Sequence, residues 1–170
     1  MHELAITVIG PDRTGIIADV AEALAEVGAN LADSTMTRLR GHFAMTLICT
    51  GPAAEAVEEA LAPLTADGRL VATVRAVRPE ADAAAQGEPF LVSVHGADRL
   101  GIVAAVSRVV SAAGGNITDL TTRLAGPLYV IVAEVDLDPA HADGLAEQLA
   151  VAAAELAVDV TMRRAESEIL

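Results

Sequence analysis

"GPDRTGIIADVAEALAEVGANL", Gly10 to Leu31, returns as "GADRLGIVAAVSRVVSAAGGNI", Gly96 to Ile117, 86 residues further on. Val8, Gly10, Asp12, Arg13, Gly15 and Ile16 meet Val94, Gly96, Asp98, Arg99, Gly101 and Ile102 at that offset. The match runs on without a gap, from Ala18, Val20, Gly28, Asn30, Asp33 and Thr35 to Ala104, Val106, Gly114, Asn116, Asp119 and Thr121. One residue is then lost, so that Thr37-Arg38-Leu39 aligns with Thr122-Arg123-Leu124 at an offset of 85. A duplication of this length implies two copies of one small domain, and two copies are too few for a solenoid.

Within each copy the hydrophobic period names the elements. "ELAITVIG" and "PFLVSVHG" alternate and end in glycine, as strands do. From Thr14 to Val27 the residues Ile16, Ile17, Val20, Leu24 and Val27 fall at helical spacing, and Gly28 supplies a C-terminal stop; Ile102 to Val110 before Gly114 repeat this. "NLADSTMTRLRGHFAMTLICT" reads as a hairpin turning at Gly41, and "NITDLTTRLAGPLYVIVAEVDL" as one turning around Gly126 and Pro127. Pro52 and Pro139 stand in the first turn of a second helix, and Pro63 ends or bends the first of these. "RLVATVRAV" and "AVDVTMRRA" close the two copies as strands. The order is βαββαβ twice: an α+β fold of two ferredoxin-like domains, each an antiparallel four-stranded sheet with both helices on one face. An open sheet edge then remains to be paired. The domains are expected at 1–79 and 89–170, joined by a linker at 80–88 within the polar, alanine-rich "RPEADAAAQGEP", which can hold a helical turn.

Composition narrows the function. The net charge of −13 comes from 24 acidic residues against 11 arginines and no lysine, which repels phosphate backbones and anionic lipid. Direct nucleic-acid and membrane binding are therefore not expected. The arginines of "RLR" (Arg38 to Arg40), with Arg75, Arg78, Arg163 and Arg164, lack interleaved aromatics and read as solvated strand ends. No run reaches the length of a membrane span, and "MHELAITVIG" lacks the basic and long apolar regions of a signal peptide, so a cytoplasmic location is expected. Cys49 has no second cysteine to pair with and sits in an apolar run, as a buried free thiol does.

The charged elbow lies between first strand and first helix. Backbone N–H groups there carry partial positive charge and favour a carboxylate. Asp12 beside them either caps the helix or holds an ammonium group, while Gly15 either permits close packing or presents its backbone to a ligand. Asn30 and Asn116 are either turn residues or ligand groups. The same alternatives apply to Asp98 and Gly101.

The pattern G-x-D-R-x-G-I, an amphipathic helix, then G-x-N-[LI]-x-D resembles the ACT domain, from about Glu3 to Arg164. The first copy is similar to the regulatory module of formyltetrahydrofolate deformylases, and the tandem layout resembles the glycine cleavage system transcriptional repressor family. The resemblance implies a regulatory amino-acid sensor whose domains pair side by side, either within the chain or between chains of a homodimer. It places the ligand at the seam, between the elbow residues Asp12, Arg13 and Gly15 (Asp98, Arg99 and Gly101) and the strand starts Asn30 and Asn116. Asp12 with Asn116, and Asp98 with Asn30, would form composite sites in which side-chain oxygens accept from the α-ammonium and backbone amides hold the α-carboxylate. Glycine or another small amino acid is the implied ligand, control of glycine or one-carbon metabolism the implied role, and a protein partner the implied effector. Some ACT domains carry a ligand-binding histidine where this chain has Gly10 and Gly96; His95 is adjacent but falls on the other strand face.

No enzyme is expected. His2, His42, His95 and His141 lie in different elements without metal-ligand spacing, Ser34, Ser93, Ser107 and Ser111 lack a nucleophile-elbow context, and a chain without lysine has no phosphate loop. No cofactor is expected either. The competing class is a ligand-free protein-interaction module built on the same two domains.

Overall fold

The computed structural model describes residues 2–78 and 87–165. Most of the expected linker, with any helical turn in it, lies outside the described residues; its last residue, Glu88, already belongs to a strand and pairs with Leu137. The chain divides into two compact units, the first ending at Ala81 and the second beginning at Asp82.

The first unit runs β1 (His2–Pro11), α1 (Ile16–Glu26), β2 (Asn30–Leu39), β3 (His42–Gly51), α2 (Ala54–Thr65) and β4 (Val71–Val77). The second runs β5 (Glu88–Ala97), α3 (Ile102–Ala112), β6 (Asn116–Ala125), β7 (Leu128–Leu137), a 3-10 turn at Pro139–His141, α4 (Ala142–Leu156) and β8 (Val158–Arg164). Each builds an antiparallel sheet, ordered β2-β3-β1-β4 and β6-β7-β5-β8. This is the ferredoxin-like βαββαβ fold, twice.

Period two along the strands sets which side chains reach the core. Leu4, Ile6 and Val8 of β1 point inward with Phe43, Met45, Leu47 and Cys49 of β3, against Ile16, Val20 and Leu24 of α1 and Val57 and Leu61 of α2. Phe90, Val92 and Val94 do the same with Ile131, Ala133, Val135 and Leu137, against Ile102, Val106 and Val110 of α3 and Leu145 and Leu149 of α4. Ile17, in step with the helical period, is nonetheless exposed, because α1 turns that flank away from the sheet. Both first helices end in the same hydrogen-bonded motif. The amide of Gly28, at φ 74°, donates to the Ala25 carbonyl and that of Ala29 to Leu24; Gly114, at φ 79°, and Gly115 repeat this with Ser111 and Val110.

Three local expectations are corrected. Pro52 lies outside α2, in the bend before the helix, whose N-cap is the extended Ala53. Pro63 does not end α2, which continues to Thr65; two residues before the terminus, the single bond that the missing N–H removes is tolerated. The 86-residue offset is never broken within the hairpins. Arg38 pairs with Phe43 and Leu124 with Tyr129, and both loops contain two residues, Arg40–Gly41 and Gly126–Pro127. Arg38 therefore corresponds to Leu124, not to Arg123: the repeated "TRL" letters are one residue out of structural register.

The sheets also carry a bulge in both copies, between Leu31 and Asp33 and between Ile117 and Asp119. Side-chain phase changes there, so Asn30 and Asp33, three residues apart, occupy the same face of the ladder opposite Thr50 and Ile48.

Candidate functional site

The elbow forms because β1 ends at Pro11, and the next residue is tied to the hairpin: the Asp12 amide donates to the Gly41 carbonyl at 2.9 Å. Gly15 is then the N-cap of α1, at φ 89° and ψ 0°. Its carbonyl accepts the first helical bond, from Asp19 at 2.9 Å. Gly101 does the same for α3 at φ 90°, with Ala105 donating at 2.9 Å. No side chain caps either helix. Asp12 and Asp98 are thus not caps. The two glycines serve backbone conformation rather than close packing: a Cβ on Gly15 would meet only the Arg13 guanidinium at 3.9 Å, and one on Gly101 nothing within 4 Å. Both first turns present uncapped N–H groups beside an aspartate and an arginine.

Small hollows sit at both elbows. The first, about 150 Å³, is lined by Asp12, Arg13, Gly15, Ile16, Met36 and Phe43 among others. The second, about 450 Å³, has Asp98, Arg99, Leu100, Gly101, Ile102 and Tyr129 in its wall. A larger depression of about 620 Å³ lies elsewhere, along β4 and α2, with Glu58, Thr65, Thr73 and Arg75 in its lining. The elbow groups are less uniform than their letters. Arg13 Nη2 lies 2.6 Å from Asp19 Oδ2, and Asp12 Oδ2 lies 3.6 Å from Arg38 Nη1.

The strand starts are remote from the elbows of their own units. Strands β1 and β2 both run antiparallel to β3, so they are parallel to each other; Asn30 is level with Thr50 and Glu3, while the elbow follows Gly10, which is level with Phe43 and Arg38. At least seven residues of strand separate them, about 24 Å at ~3.4 Å per residue. Asn116, opposite Asp136, is likewise at the far end of its sheet from Asp98. Neither unit brings its own aspartate and asparagine together.

The absent histidine has a steric reason. Gly10 lies on the core face, and a Cβ there would stand 2.4 Å from the Arg69 carbonyl oxygen; at Gly96 it would meet Val158 Cγ1 at 2.8 Å. His95 is exposed, 3.5 Å from Asp159. Cys49 is fully buried, and burial pushes its thiol pKa up from the ordinary 9.0. Among the described residues no three His, Cys, Asp or Glu side chains are grouped to hold a metal ion. No helix among them is long and apolar enough to cross a membrane.

Comparison with known proteins adds the family. The ACT domain pattern matches residues 2–73 and again 88–163. A UPF0237 protein of Methanopyrus kandleri is 46% identical over 48 residues, which is 28% of this chain and 53% of that one. A UPF0237 protein of Streptococcus mutans is 49% identical over 43 residues, 25% of this chain and 49% of that one. The chain thus spans about half the length of the curated relatives it matches. Among solved structures, an unknown protein from Galdieria sulphuraria superposes over 97% of this chain and 99% of its own, with TM-score 0.79 and 26% identity. A protein named "putative glycine cleavage system transcriptional repressor" does so over 98% of each chain, with TM-score 0.75 and 20% identity, a likeness of fold. The chain belongs to the ACT domain family, with the domain present twice.

Proposed function

We propose that this protein is a non-catalytic amino-acid sensor that acts through a protein partner, in control of glycine or one-carbon metabolism. ACT domains are regulatory amino-acid-binding modules. The observation that carries the reading is the twice-built elbow, with a left-handed glycine opening an uncapped helix N-terminus beside an aspartate. A free amino acid fits that arrangement, its α-carboxylate on the helix amides and its α-ammonium on the aspartate.

The ligand is completed from a second copy of the domain, Asp12 with Asn116 and Asp98 with Asn30. Two observations support this. Elbow and strand start lie at opposite ends of each sheet, so a site using both draws on more than one domain. Strands β2 and β6 are sheet edges, and both carry exposed apolar side chains: Leu31, Met36 and Leu39 on β2, Leu120 and Leu124 on β6. Pairing occurs within the chain or between chains of a homodimer. Glycine is suggested by the name of the structural neighbour, and a protein effector by the charge of −13, which opposes direct contact with nucleic acid.

The test is a thermal-shift titration of the full chain against the twenty amino acids, with Asp12→Ala and Asn116→Ala as controls for one composite site and Asp98→Ala and Asn30→Ala for the other. A rise in Tm for one or a few of them, reduced in the controls of the site that is filled, is expected. No shift with any would leave the second reading, a ligand-free interaction module. That reading draws on the first elbow, where arginine and aspartate are already paired within the chain.

A further inference from the structure

Two hairpins in structural register show that the elbows, near-identical in letters, differ in what surrounds their charges. In the first copy Asp19 holds Arg13 at 2.6 Å and Arg38 holds Asp12 at 3.6 Å. The residues at the same places in the second copy are Ala105 and Leu124, neither of which can pair with a charge. Among the described residues Asp98 and Arg99 accordingly make no ion pair. Around them the hollow is about 450 Å³ against about 150 Å³, Leu100 stands wholly exposed in place of Thr14, and Tyr129 replaces Phe43.

We infer that the second elbow is the primary ligand site, taking a zwitterionic amino acid with an apolar side chain, and that the first is held in a self-neutralised form. This rests on the amino-acid reading proposed above, and it names an apolar amino acid at this elbow where the structural neighbour's name suggests glycine. The physical basis is competition. An α-ammonium arriving at Asp12 must share that carboxylate with Arg38, and an α-carboxylate arriving at Arg13 must share the guanidinium with Asp19. Among the described residues neither Asp98 nor Arg99 has an ion-pair partner to lose. The pairs are exposed, so each changes affinity by only about two- to five-fold; together they separate the two sites measurably. The side-chain preference follows from the wall of the wider hollow, where Leu100, Ile102, Val103 and Tyr129 leave room beyond the backbone groups of the ligand.

The experiment is an NMR titration of the uniformly 15N-labelled full chain with an equimolar mixture of the twenty amino acids, followed at the Gly101 and Ile102 amides and at Gly15 and Ile16. The second pair is expected to shift at a concentration at least about five-fold higher than the first. Single amino acids then identify the component responsible, expected to be an apolar one. Equal midpoints, or a lower midpoint at Gly15 than at Gly101, would overturn the inference while leaving amino-acid binding standing. No chemical-shift change at either elbow would overturn the amino-acid reading and this inference with it. The charge mechanism has its own check in two opposed variants. Ala105→Asp with Leu124→Arg should raise the Gly101 midpoint several-fold, and Asp19→Ala with Arg38→Leu should lower the Gly15 midpoint. Unchanged midpoints in both would sink it.

Discussion

Gly15 and Gly101 sit in a backbone region that L-residues enter at a cost of about 1–2 kcal/mol. Gly15→Ala and Gly101→Ala should each lose about that much stability in urea unfolding, although there is open space around both. The sequence showed that these glycines recur, but not whether packing or φ required them, because that distinction depends on what a Cβ would meet. Gly10 is the opposite case: its φ is ordinary, and Gly10→Ala should be destabilising through contact with the Arg69 carbonyl. Cys49 was readable as buried from its apolar neighbours alone. Its thiol should resist iodoacetamide in the native state and react only at the rate of unfolding, read by mass spectrometry. Its raised pKa also fixes a sign. Below the ordinary 9.0 both states keep the proton and Cys49 adds no pH dependence; above it the unfolded chain loses the proton first, so its contribution to stability falls as pH rises.

Element order was legible almost throughout, because periods of two and 3.6 survive in the letters wherever one face is buried. Turn chemistry was legible too. Arg40 at φ 48° and Gly41 at φ 81° form a two-residue hairpin loop with both φ positive, whereas Gly126 at φ 60° is followed by Pro127, whose ring holds φ near −65°. Register was not legible. The "TRL" letters suggest a lost residue, yet cross-strand pairing puts Arg38 and Leu124 at one place, and only the partner strand can decide that. The bulges went unseen for the same reason. One element end is suboptimal: Ala157 closes α4 in the left-handed region, at φ 53°. Ala157→Gly should stabilise the protein by about 1 kcal/mol, seen as a higher urea midpoint. Pro63 withholds one bond near the end of α2, so Pro63→Ala should also raise Tm.

For the whole molecule the governing quantities are two separate cores and one large negative charge. At −13 the chain repels itself, and added salt screens that repulsion. Tm should therefore rise by a few degrees between about 0.02 and 0.2 M NaCl in differential scanning calorimetry, before any ligand is added. The sequence by itself determined the duplication, the βαββαβ order, the ACT resemblance and the existence of two charged elbows, since each is written in local pattern and spacing. Tertiary structure decided the rest. It set Asp12 and Asn30 at opposite ends of one sheet, and it filled the space at Gly10 with the Arg69 carbonyl. It also gave Asp12 and Arg13 partners in Arg38 and Asp19, while placing Leu124 and Ala105 beside their counterparts. All of these depend on residues distant along the chain becoming neighbours through strand pairing and helix packing, and a local pattern carries no record of which neighbours those will be.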